Sequence, residues 1–163
     1  MATTALGGNP VQTVGDLPAI GEAAPPFSLV GTDFTEVTLP TGTRTILNIF
    51  PSVDTGVCSA SVRKFNELAA GFDDAVVVCV SNDLPMAQAR FCGAEGIDNV
   101  TVASGFRSTF GDDYGVRLAT GKWEGLLART VIIVDADGRV AYSQVVPEIS
   151  QEPDYDDVVA ALG

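Results

Sequence analysis

Three cysteines are the residues of this sequence best equipped for chemistry, and each stands in a different setting. Cys58 closes the run Pro51-Ser52-Val53-Asp54-Thr55-Gly56-Val57 and opens a helical pattern continued by Val62, Phe65, Leu68 and Ala69. A thiol in the first turn of a helix faces unpaired backbone N–H groups and the positive end of the helix dipole, and both favour a thiolate. Thr55, three residues earlier, can place its hydroxyl on that sulfur or on an oxygen bound beside it. Cys92 falls near the end of another helical segment, where outward-pointing carbonyls disfavour negative charge, so its thiol is expected to stay protonated. Cys79 lies inside Val76-Val77-Val78-Cys79-Val80, a run suited to a buried central strand, where a thiol behaves as a small hydrophobe. On local physics the three sort into an attacking thiol, a resolving thiol and a bystander.

Each has a plainer reading. Burial accounts for Cys79 in full, because free cysteine is among the most buried residue types. Taken alone, Cys92 is explained equally well as a core thiol at an apolar helix end. Cys58 resists such a reading, since a turn rich in Pro, Asp, Thr and Gly ahead of a helix is an exposed place for an idle thiol.

The elements that must position these residues follow from hydrophobic periodicity. Thr45–Phe50 is an apolar β run, Cys58–Gly71 is helical and Ala75–Val80 is a second apolar run, which together form a βαβ unit with a parallel pair. Asp83 as N-cap and Pro85 in the first turn begin a helix that runs to Phe91 and Cys92 before Gly93 and Gly96 stop it. Thr101–Ala103 is a short strand, Arg129–Val134 and Arg139–Val145 form a hairpin around Asp135–Gly138, and Asp154–Leu162 is a closing helix. Two peripheral hairpins precede them: Thr3–Leu6 with Val11–Val14 across Gly7-Gly8-Asn9-Pro10, and Phe27–Val30 with Val37–Leu39. This order predicts an α/β, thioredoxin-like fold: a central mixed β-sheet flanked by helices, with an N-terminal β-hairpin extension. Residues 1–163 read as a single domain. In such sheets chemistry gathers beyond the carboxyl ends of the parallel strands, where the loop Pro51–Val57 falls.

Composition narrows the chemistry. With no histidine among 163 residues, Ser-His-Asp and Cys-His catalysis, mixed Cys/His zinc sites and haem on a proximal histidine are excluded. No three-carboxylate cluster or P-loop stands in the sequence, so neither metal nor cofactor is expected. Asp and Glu outnumber Lys and Arg 21 to 9, a net charge of −12 that opposes nucleic-acid binding. That field also opposes a surface thiolate, so a reactive cysteine must carry its own local positive potential. Met1–Pro10 lacks the pattern of a secretory signal and no apolar run spans a bilayer, so the expected location is the cytoplasm, away from membranes.

Three segments carry a resemblance. Pro51-x-x-x-Thr55-x-x-Cys58 matches the active-site motif of the peroxiredoxins, and Asp54 to Phe65 resembles their thiol peroxidase branch. Arg90-Phe91-Cys92-Gly93-Ala94-Glu95-Gly96 is similar to that branch's resolving-cysteine helix, and the likeness continues to Glu152-Pro153-Asp154-Tyr155. The resemblance implies a peroxidase for hydrogen peroxide and organic hydroperoxides, an intramolecular Cys58–Cys92 disulfide, reduction by thioredoxin, and a homodimer. It also places the family's catalytic arginine on Arg129. From the sequence alone, a charged residue leading into the apolar strand Val131–Val134 is either held by an acidic partner or aimed at a functional anion, with nothing to choose between them. One departure is Gly121-Lys122-Trp123-Glu124-Gly125, where Gly-Pro and small residues are expected. It bears on a loop near the substrate entrance or a subunit contact, and ordinary partial burial is the preferred reading of Trp123.

Ionisation cannot carry such a reaction. A thiol of pKa near 8.5 is about 3% thiolate at pH 7, so complete ionisation raises the reactive fraction only ~30-fold, and lowering the pKa also weakens the nucleophile. The larger contribution must come from groups that stabilise charge moving across the breaking O–O bond: Arg129, Thr55 and backbone N–H groups near Cys58, with Pro51 excluding water. Two other classes remain: a thiol-disulfide oxidoreductase, disfavoured by the lack of Cys-x-x-Cys, and a non-enzymatic redox sensor.

Overall fold

The computed structural model describes Met1–Gly163. Its scaffold is a seven-stranded mixed sheet built on a parallel core. Strand β1 (Thr3–Leu6) and β2 (Asn9–Gln12) form a separate two-stranded sheet; β3 (Ser28–Gly31), β4 (Glu36–Thr38), β5 (Arg44–Ile49), β6 (Ala75–Ser81), β7 (Thr101–Ser104), β8 (Thr130–Val134) and β9 (Val140–Val145) form the large one. Its order is β4-β3-β7-β6-β5-β8-β9, with β5, β6 and β7 parallel and the outer pairs antiparallel. The helices are α1 (Gly56–Ala69), α2 (Pro85–Glu95), α3 (Phe110–Asp113) and α4 (Tyr155–Leu162).

Alternation along the central strands divides the core in two. Leu47, Ile49, Val78, Val80 and Ile132 face one side with Phe27, Phe110 and Tyr114; Ile46, Phe50, Val77, Cys79 and Ile133 face the other, under α1. Helix α1 buries Cys58, Ser61, Val62 and Phe65, the i, i+3, i+4, i+7 stripe of a helix packed on a sheet, so Cys58 is carried inward by the same face that anchors the helix.

The expected architecture is present, with five differences of detail. Gly7 and Gly8, at φ 60° and 82°, make a two-residue turn by themselves, so β2 begins at Asn9 rather than Val11; Pro10 is tolerated on this short edge ribbon. The second hairpin is no appendage, because β3 pairs with β7 and extends the sheet. Helix α3, four residues long, is too short to show a period. Asp83 does not cap α2. Leu84 occupies the N-cap without a side-chain bond, so a contact ordinarily worth about 1 kcal/mol is forgone. Gly93 lies inside α2, and only Gly96, at φ 66°, ends it by donating its N–H to the Cys92 carbonyl.

Candidate active site

The loop from Phe50 to Thr55 leaves the carboxyl end of β5 and turns into α1. Thr55 is the N-cap: its backbone is extended, and its Oγ1 accepts from the Cys58 N–H at 3.2 Å while donating to the Ser52 carbonyl at 3.3 Å. The Thr55 hydroxyl is thus engaged by backbone and makes no bond to the sulfur, which replaces the first of the two roles expected of it. Cys58 follows as the third residue of α1. It is fully buried, not exposed as the character of the loop suggested: Asp54 and Gly56 face solvent while the thiol turns into the core against Phe50 and Val62.

Pairing of β5 with β8 is antiparallel, with Ile49 opposite Thr130, so the residue before β8 lies beside the residues after β5. That register brings Arg129 to the Cys58 loop across 71 residues of sequence. The arginine is 1% exposed. Its Nη2 donates to Cys58 Sγ at 3.2 Å and its Nε to the Ile149 carbonyl at 2.8 Å, while Nη1 is buried with no protein partner. No acidic side chain holds it; of the two readings left open by the sequence, the acidic partner is not present. Pro51 is buried at the start of the loop.

Cys92 is half-buried near the end of α2, against the edge of the same core cluster as Cys58. Burial pushes its thiol up from its ordinary range. It lines a cavity of about 360 Å³ with Ile97, Val100 and the β3–β4 turn at Gly31–Asp33. All three cysteines are free, so the structure holds the reduced arrangement. Cys79 is fully buried in β6, and desolvation drives its thiol up to about 12, against the opposing contact from Asn48 Nδ2 at 3.6 Å. Its setting is that of a core residue. Trp123 is partly buried against Val11, Leu118 and Ile149, the ordinary reading of that departure; Gly121 in the same loop sits at φ 83° with Val11 where a Cβ would fall.

Several participants escaped the sequence. The Ile149 carbonyl, which orients Arg129, belongs to a segment with no chemical signature. Tyr155 is close enough for the Arg129 charge to oppose the rise in its phenol pKa that burial causes, yet its helix position reads as core packing. Ser52 looks like an ordinary loop residue and Asp83 like a helix cap, and only the β5–β6 pairing brings them together.

A buried thiol under a guanidinium at a helix start, on a thioredoxin-like sheet, defines a thiol-based redox protein. Residues 19–159 match the Redoxin family. Thiol peroxidases of Mycobacterium tuberculosis and Corynebacterium glutamicum are 55% and 56% identical to the chain, covering 100% and 99% of it and 99% of each relative. The crystal structure of a peroxiredoxin-like protein from Aquifex aeolicus superposes with a TM-score of 0.95 at 44% identity, over 98% of this chain and 95% of that one. The chain belongs to the Redoxin family, on its thiol peroxidase branch.

Proposed function

We propose that Cys58 is the peroxidatic residue of a thioredoxin-dependent peroxidase acting on hydrogen peroxide and organic hydroperoxides. The observation that carries this reading is the Arg129 guanidinium, bonded through Nη2 to the Cys58 sulfur and leaving the buried Nη1 without a partner. A buried donor left unmade is costly, and a bound peroxide oxygen completes it. The Cys58 thiolate attacks one peroxide oxygen in line with the O–O bond; that bond breaks, an S–O bond forms, and the leaving oxygen departs as alkoxide or hydroxide and takes up a proton. Cys58 is oxidised to sulfenic acid and the hydroperoxide reduced to alcohol or water. Arg129 and the N–H groups of the first turn of α1 stabilise the charge as it passes to the leaving oxygen. The Thr55 hydroxyl holds that turn, and Pro51 keeps water from the sulfur.

Cys92 then attacks the sulfenic sulfur, forming the intramolecular disulfide and releasing water. A disulfide needs Cα atoms within about 7 Å, and both cysteines begin inside helices, so local unwinding precedes the bond. Unwinding also relieves the burial that raises the Cys92 thiol above its ordinary range. Two thiols of thioredoxin reduce the disulfide and are themselves oxidised. The working unit in this reading is a cytoplasmic homodimer.

The test is a coupled assay with thioredoxin and its reductase. Cys58→Ser abolishes peroxide consumption, Cys92→Ser stops after about one turnover with sulfenic acid on Cys58, and Cys79→Ser is near normal. Mass spectrometry that finds only an intersubunit Cys58–Cys92 link refutes the intramolecular step.

A further inference from the structure

Asp83 lies between β6 and α2, one residue before the N-cap Leu84, and its carboxylate bonds to the Cys58 loop and to β6 rather than to the helix. It accepts from Ser52 Oγ at 2.7 Å, from the Val53 N–H at 2.9 Å and from Ser81 Oγ at 2.5 Å. Its own carbonyl accepts from Ser104 Oγ, which ties it to β7. Ser52 is the hub of the turn before α1: its Oγ accepts from the Asp54 N–H at 3.1 Å, and its carbonyl takes the Thr55 N–H and hydroxyl, both at 3.3 Å. Thr55 in turn holds the Cys58 N–H at 3.2 Å. A continuous chain of bonds therefore runs from Asp83 through Ser52 and Thr55 to Cys58. On the other side, Ser81 Oγ accepts from Gln88 Nε2 at 3.0 Å, and that amide also donates to the Ala103 carbonyl at 3.0 Å. Gln88 is fully buried in α2, the helix of Cys92.

We infer that Asp83 is a positioning residue that fixes the Ser52–Thr55 turn against the end of β6, holding Cys58 under Arg129 and restraining the opening that lets Cys58 meet Cys92. The inference rests on the roles proposed above for those two cysteines. A local rule is broken here: Leu84, the N-cap of α2, offers no side-chain bond, and the acidic residue before it serves the Cys58 loop; such departures mark positions shaped by function. The consequence is a trade between two steps. An intact latch favours the closed geometry in which sulfur, guanidinium and peroxide align; a severed latch misaligns them but lowers the barrier to unwinding.

The experiment measures both steps separately by rapid quench with a thiol-alkylating reagent and mass spectrometry. Hydrogen peroxide oxidation of Cys58 is followed in a Cys92→Ser background, and conversion of sulfenic acid to disulfide is followed with Cys92 present. Asp83→Ala slows the first step about 10-fold or more and accelerates the second severalfold. Asp83→Asn lies between, because its amide oxygen still accepts the Val53 N–H. Ser52→Ala, which leaves the Asp83–Val53 and Asp83–Ser81 bonds intact, moves both rates in the same directions and decides the matter if Asp83→Ala does not fold. General loosening slows both steps together. The inference fails unless the two rates move in opposite directions. If Cys58 is not oxidised even with Asp83 in place, the peroxidatic reading itself is refuted, a result distinct from oxidation that is indifferent to Asp83.

Discussion

Arg129 uses its three nitrogens differently: one on a backbone carbonyl, one on the Cys58 sulfur and one on nothing in the protein. The first bond fixes the plane of the guanidinium, so the other two donors are aimed before substrate arrives. Arg129→Ala removes that pre-aimed charge, and the second-order rate of Cys58 oxidation by hydrogen peroxide falls ~100-fold or more, as for loss of an oxyanion-hole donor. Raising the pH does not restore it; a variant that regains full rate in alkali shows that the arginine served ionisation only. Cys79 gives a residue-scale prediction of another kind. Its thiol is raised from 9.0 to about 12, so the stability it contributes is complete below pH 9.0 and is lost as pH rises toward 12. In urea unfolding series across that range, Cys79→Ala declines less steeply than the native protein while keeping its peroxidase activity.

Helix α2 is fastened unevenly, and that unevenness predicts where it yields. Its first half is held by the buried Gln88 amide and by Pro85, both inside the core. The half that carries Cys92 has no fully buried residue: Phe91 and Cys92 pack half-buried on the edge of the core, and the exposed pairs Arg63–Glu95 at 3.7 Å and Arg90–Asp54 at 3.6 Å add to that hold. Exposed pairs of this kind contribute at most about 1 kcal/mol each. If Cys58 and Cys92 join as proposed, the segment after Gln88 is expected to unwind while the first turn stays in place. Hydrogen exchange resolved along the chain shows faster exchange from Ala89 to Glu95 in the disulfide form, with Ala87 and Gln88 unchanged. Equal protection in reduced and oxidised protein contradicts this account.

At the scale of the whole molecule, the N-terminal hairpin buttresses the site. Thr4 Oγ1 donates to the Val146 carbonyl at 2.7 Å and Ile149 N–H to the Ala5 carbonyl at 2.8 Å, so β1 braces the segment whose Ile149 carbonyl holds Arg129. Glu148 adds a charged clasp: it accepts from the N–H groups of Gly7, Gly8 and Ser150 and from the Ser150 hydroxyl. Those bonds hold its carboxyl at about 2, down from 4.5, with Ser150 the largest contributor. A depressed carboxyl stabilises the fold above its ordinary value, and that contribution is lost as pH falls from 4.5 toward 2. Thermal melts over this window show a loss in the native protein that Glu148→Gln lacks; parallel curves remove the clasp from the argument.

Much of the molecule was legible in local pattern. Strands β5, β6, β8 and β9, helices α1 and α4, and the sorting of the cysteines by helix start, helix end and buried strand rest on short-range periodicity and dipole direction, which a linear sequence carries in full. The family resemblance supplied Arg129, where sequence physics left two readings open. Tertiary structure decided what depends on register: that an antiparallel β5–β8 pair sets Arg129 over Cys58, that the Cys58 thiol is buried beneath an exposed loop, that Thr55 caps rather than touches the sulfur, and that Asp83 serves Ser52 instead of α2. Each of these joins residues 20 or more positions apart or turns on how one side chain divides its bonds among competing partners. Sequence spacing fixes neither, because both are settled only once distant strands pair in register and the polar groups they bring together compete for partners.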